Sequence, residues 1–126
     1  MLARVSFARL KRYGKGRLLP VKEWHKPREL YIVQLGEDIV GFGVTSNFVQ
    51  RMVMYQFHCR WKRSSITALH RIVFNNGAEA NAVERYLRRR FRRDIVNTGV
   101  PGLQRKAVPK KLLQELSLSI EMVISY

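Results

Sequence analysis

The chain has 126 residues and a mass of 14.8 kDa, and its 24 Lys plus Arg against 9 Asp plus Glu leave a formal charge of +15 and a pI near 11.0. With 46% hydrophobic and 10% aromatic residues it carries apolar mass for one packed core, which excludes disorder throughout. The single cysteine, Cys59, excludes an intrachain disulfide scaffold and points to a reducing, intracellular and cytoplasmic setting.

No apolar stretch reaches the ~20 residues that a membrane span needs. The basic first residues are not followed by the roughly 7–15-residue apolar segment of a signal peptide. A surplus of positive charge on a small domain destabilises the compact state unless a polyanion relieves it, and nucleic acid is the commonest such partner.

In chain order, residues 1–28 mix basic side chains with Gly14, Gly16, Pro20 and Pro27 and read as a basic N-terminal arm. Arg12, Lys15 and Arg17 are its candidate nucleic-acid contacts, and its aromatics Phe7, Tyr13 and Trp24 either anchor the arm or stack on bases. Residues 29–126 read as the folded domain. LYIVQL at 30–35 and IVGFGV at 39–44 are β-prone runs joined by Gly36-Glu37-Asp38, the composition of a hairpin turn. Ser46-Asn47 suits a helix N-cap, and a helix is expected from Phe48 to Trp61. At 100° per residue, Arg51, Met52, Tyr55 and Cys59 all fall within about 60° of Phe48, so Arg51 and Tyr55 share one face at i and i+4.

Residues 66–75 read as a third strand closed by Asn75-Asn76-Gly77, and 77–93 as a helix with Ala80, Val83, Leu87 and Phe91 as its apolar stripe. Glu84 lies on the edge of that stripe, an acid on the core side of an Arg-rich helix. Its alternative reading is an ordinary ion pair with Arg88 at i+4. Arg85, Arg88, Arg89 and Arg92 make a surface suited to a phosphate backbone. Residues 97–109 read as a loop, and 109–123 as a C-terminal helix with Leu112, Leu113, Leu116, Ile120 and Val123 on its apolar face. The expected fold is α+β, a small three-stranded antiparallel sheet flanked by helices in β-β-α-β-α order, with the basic arm before it and the C-terminal helix after it.

Over residues 29–93 this pattern resembles the GIY-YIG nuclease family. Glu29-Leu30-Tyr31 occupies the first motif, Gly41-Phe42-Gly43 the second, and GVTSNFVQR spans the distance from Gly43 to Arg51. Tyr55 falls where the family has His or Tyr, and AEANAVERYLRRRF looks like its metal-binding helix. Gly41 stands where the family carries Tyr or, in some members, Lys, and Asn97 is a possible match to the family's later polar residue.

The resemblance implies a metal-dependent endonuclease that hydrolyses DNA, with RNA possible as substrate and with Tyr31, Arg51, Tyr55 and Glu84 as catalytic residues. Glu84 would hold one Mg²⁺ or Mn²⁺, and Arg51 would clamp the scissile phosphate with its planar fork. Tyr31 would take the proton of the attacking water if neighbouring cations lower its pKa, with Tyr55 positioning phosphate or water. The implied protein is a monomer or homodimer with no membrane role. Two other readings stay open: an inactive nucleic-acid-binding protein of the same fold, and a basic ribonucleoprotein component. His58, His70 and Cys59 show no recurring zinc-ligand spacing.

Overall fold

The computed structural model describes residues 3–6, 27–61 and 64–125, so Arg12, Lys15 and Arg17 lie outside the described residues. Its elements in order are β1 (Arg4–Val5), β2 (Arg28–Leu35), β3 (Ile39–Thr45), α1 (Phe48–Trp61), β4 (Ile66–Phe74), α2 (Gly77–Arg90), β5 (Ala107–Pro109), a 3₁₀ turn (Lys110–Leu112), α3 (Leu113–Val123) and β6 (Ile124–Ser125). The fold is α+β, with a four-stranded antiparallel sheet in the order β4-β2-β3-β5 and a two-stranded sheet of β1 and β6.

The hairpin forms where the turn residues place it. Gly36 takes φ +62, a conformation that favours glycine, and its N–H donates to the Ser65 carbonyl at 2.8 Å. The register pairs Tyr31 with Gly43 and Val33 with Gly41. β2 lies between two partners, and its alternate residues serve two different cores. Leu30 and Ile32 join Val40, Phe42 and Val44 of β3 beneath α2 and α3. Tyr31, Val33 and Leu35 face the other way, with Tyr55 and Cys59 of α1 and with Val100 and Leu103.

α1 and α2 each start on an asparagine. Asn47 Oδ1 accepts the Gln50 N–H at 3.1 Å, and Asn76 Oδ1 accepts the Ala78 N–H at 2.8 Å. The expected stripe of α2, Ala80, Val83, Leu87 and Phe91, is buried throughout. The helix ends at Arg90 rather than at residue 93, because Phe91 leaves the helical conformation with its N–H on the carbonyls of Leu87 and Arg89. α3 docks on α2 partly through Arg90 Nε, which donates to the buried Ser119 hydroxyl at 2.7 Å, while that hydroxyl donates to the Glu115 carbonyl.

Two features depart from the expected three strands and basic arm. Within the expected loop at 97–109, Ala107–Pro109 forms a fourth strand, pairing Val108 with Val40 and Ala107 with Gly41. Pro109 is tolerated there because β5 is an edge strand. Part of the expected arm is core: Ala3 and Val5 are buried, and Arg4 and Val5 pair with Ser125 and Ile124. The buried carboxylate of Glu79 fixes this segment, accepting from Arg4 Nε at 2.8 Å and from the Val5 N–H at 3.1 Å.

Glu79→Ala leaves that Val5 N–H without its acceptor, and it should lower unfolding stability by about 1–3 kcal/mol in urea titrations. A loss below the error of such a titration would mean that β1 is held by its strand pairing alone.

Candidate active site and nucleic-acid interface

The register of β2 and β3 builds the first half of the site. Tyr31 lies across the bare backbone of Gly43, so close that a Cβ there would overlap the Tyr31 hydroxyl and stand 2.6 Å from its Cζ. The Tyr31 ring meets Phe48 and Tyr55 edge-on, with centroids 6.2 and 6.0 Å apart. Its hydroxyl is hydrogen-bonded to the Tyr55 hydroxyl. Tyr55 in turn donates to the Gly102 carbonyl at 3.3 Å, which leaves Tyr31 as donor to Tyr55.

Arg51, one turn before Tyr55 on α1, lies against the same hydroxyl. A Cβ on Gly102 would stand 3.1 Å from the Tyr55 hydroxyl and 3.2 Å from Arg51 Nη1, and Gly102 has φ +87. The turn therefore closes on Arg51 and Tyr55 only with glycine at this position.

Burial is the largest influence on both tyrosines and pushes both hydroxyls above their ordinary pKa. Arg51 opposes this at both, and Glu84 adds a smaller upward push at both. The expected lowering of the Tyr31 pKa is therefore reversed, since desolvation outweighs Arg51. The pair is also unequal. Tyr31 donates within it and keeps its proton, whereas Tyr55 accepts that bond and is lowered by it.

Glu84 is 5% exposed on the core side of α2, where the stripe put it. Its ion-pair partner is not Arg88 but Lys106, whose Nζ stands 2.7 Å from Oε1. Lys106 is held by its backbone, its carbonyl accepting the Phe42 N–H at 2.9 Å and its N–H donating to the Leu103 carbonyl at 3.3 Å. Gly41 makes room for this approach, because a Cβ there would lie 2.7 Å from Leu103 Cδ2. Asn97 does not point to the site; its exposed side chain accepts the Gly99 N–H and shapes the turn.

Beside this pair lies a basin of about 680 Å³ lined by Arg85, Arg88, Arg89, Arg92, Arg105 and Ile95. Four of its five arginines are the expected α2 residues, and the fifth, Arg105, comes from the turn that carries Lys106. At 1.5 Å per residue, Arg85 to Arg89 spans about 6 Å of α2, and Arg92 follows in the turn after the helix. Arg71 of β4 was not foreseen either: it forks onto Glu29 at 2.8 and 2.9 Å and lies 3.9 Å over the Phe48 ring.

No family model, curated protein or solved structure matches the chain. Among the described residues no three His, Cys, Asp or Glu converge as a metal-binding group, and no helix is long and apolar enough to cross a membrane.

Gly43→Ala forces the Tyr31 ring or β3 to move and should cost about 1–3 kcal/mol in urea unfolding. A neutral substitution would show that Tyr31 has an alternative place to go. The buried hydroxyls also predict alkaline sensitivity. The unfolded chain releases tyrosine protons near pH ~10 while the fold retains them, so stability present below that pH declines as it rises further. Tyr31→Phe should decline less between about pH 9 and 11 than the parent protein. Parallel curves would assign the loss to other groups.

Proposed function

We propose that this protein is a metal-dependent endonuclease of the GIY-YIG kind acting on DNA. The observation that carries the reading is the assembly of Tyr31, Tyr55, Arg51 and the buried carboxylate of Glu84 from β2, α1 and α2 next to a five-arginine basin. Core packing accounts for the meeting of the two phenols but not for the acid and the guanidinium that act on both of them. A phosphodiester site needs groups of these kinds.

The donor set fits a small divalent ion. Magnesium commonly takes one or two carboxylates and fills the rest of its shell with water and phosphate oxygens. Glu84 would be the protein's ligand. Bound Mg²⁺ or Mn²⁺ supplies charge for the phosphoryl and leaving oxygens.

The chain's own groups divide the remaining work. Arg51 holds the phosphate by its fork. Tyr55, raised by burial but pulled back by its hydrogen bond from Tyr31 and by Arg51, takes the proton of the attacking water when it is ionised, and Tyr31 orients it from β2. Arg85, Arg88, Arg89, Arg92 and Arg105 carry the flanking backbone, a sequence-independent contact that weakens with salt.

A second reading, binding without turnover, draws on two observations. Lys106 already neutralises Glu84, and Gly41 offers no hydroxyl or amine. Plasmid cleavage separates the two. With Mg²⁺ or Mn²⁺ the protein should nick supercoiled plasmid, and chelator or Glu84→Ala should abolish nicking while gel-shift affinity stays within about threefold. Arg51→Ala should slow cleavage by about 10²–10³-fold with little loss of affinity. Plasmid left intact by wild-type protein under both metals, but bound, would select the binding reading. Cleavage that survives both chelator and Glu84→Ala would remove the metal mechanism.

A further inference from the structure

The pairing of Glu84 with Lys106 is an unusual use of lysine in this chain. Every basic residue between Lys62 and Lys106 is an arginine, including those that line the basin, yet the buried acid is given a lysine from 22 positions away. Glu84 is 5% exposed, and burying a carboxylate is costly without a partner. Arg88, one turn along on the same helix, was available, and a guanidinium would grip the carboxylate with two parallel bonds.

Lysine grips differently. It is a compact point charge on a flexible stem, held here through one contact at 2.7 Å, and its side chain is 27% exposed. Its backbone is fixed by the Phe42 and Leu103 hydrogen bonds, so the ammonium can leave Glu84 without moving β5. The adjacent residue, Arg105, already lines the basin, so the released ammonium has phosphate-binding surface beside it.

We propose that Lys106 is a positioning residue that acts as an exchangeable counter-cation. It holds the Glu84 carboxylate in place in the free protein and yields it to a divalent metal ion. The ammonium then turns toward the backbone phosphate in the basin. No covalent bond forms or breaks and Lys106 remains protonated throughout; one cation replaces another on the same oxygen. The inference rests on the reading of Glu84 as the metal ligand. It adds that metal affinity at this site is set by competition with Lys106.

The test is Mn²⁺ binding by calorimetry to the full chain without nucleic acid, comparing wild type, Lys106→Met, Lys106→Arg and Glu84→Gln. Removing a neighbouring positive charge should tighten Mn²⁺ binding by about tenfold or more in Lys106→Met. Lys106→Arg should bind no tighter than wild type, and Glu84→Gln should lose the site. Equal or weaker binding by Lys106→Met, with the site still lost in Glu84→Gln, would overturn the exchange and leave the metal site standing. Mn²⁺ binding that is indifferent to Glu84→Gln, or absent from both wild type and Lys106→Met, would overturn the metal site and the exchange with it.

Thermal unfolding supplies a measurement that tolerates a weakened fold. In chelator, Lys106→Met should melt below wild type, because Glu84 has lost its partner. Added Mn²⁺ should raise its melting temperature by more degrees than it raises that of wild type. Equal Mn²⁺ shifts would count against the exchange.

Discussion

The contact of the Tyr31 ring with the bare backbone of Gly43 is the constraint on which the site's geometry rests. Strand alternation puts Val40, Phe42 and Val44 of β3 into one core and leaves positions 41 and 43 on the opposite face. Both are glycine. The space over Gly43 is taken by Tyr31 from the neighbouring strand, and the space over Gly41 by Leu103 from the turn before β5. With Tyr31 lying across the sheet, its hydroxyl reaches α1 at Tyr55 and fixes which side of that helix faces inward. With Leu103 lying across the sheet, Lys106 follows three residues later and reaches Glu84. Gly41 is thus more than a missing side chain; it gives access to a lysine from the segment just before β5.

Electrostatics then separates two buried acids that look alike in sequence. Glu79 and Glu84 lie five positions apart on α2, and each is buried and paired with a cation. Glu79 accepts a backbone N–H and both of its oxygens accept from Arg4, so removing it unties a strand. Glu84 is paired instead with the ammonium of Lys106, whose Nζ stands 2.7 Å from Oε1. A buried charge costs several kcal/mol of desolvation and is retained only with partners. The kind of partner therefore distinguishes a structural acid from one whose cation can be exchanged.

Much of this was legible because the local signals were strong. The hairpin turn, the Asn47 cap and the apolar stripe of α2 each follow from neighbouring residues, and the element boundaries placed Tyr31, Arg51, Tyr55 and Glu84 where they occur. The rest depended on distant chain segments. β5 is three residues ending in proline, and β1 and β6 are two residues each, so none carries a periodic signal; pairing with β3 or with each other makes them strands. The Lys106 partner of Glu84 was not legible for the same reason. Helical spacing offers Arg88, while Lys106 arrives through a turn with positive φ at Gly99, Gly102 and Arg105, the last a residue type that does not announce that conformation. On α1, Val49, Val53 and Phe57 are exposed on the side away from Tyr55, so hydrophobicity alone did not define its inward face.

The direction of one hydrogen bond also reassigns the two tyrosines. The Gly102 carbonyl can only accept, so Tyr55 donates to it and has its oxygen left to receive the Tyr31 proton. A donor that ionises loses its bond: Tyr31 would lose its bond to Tyr55, whereas a phenolate at Tyr55 would give up the 3.3 Å bond to the Gly102 carbonyl but keep the bond from Tyr31 and gain from Arg51. Burial raises both, but it does not change their order. The phenol on β2 therefore holds its proton, and the phenol on α1 is the one from which a proton leaves more readily. That division also accounts for Gly102, which carries the accepting carbonyl and whose missing side chain leaves room for the Arg51 guanidinium beside the same oxygen.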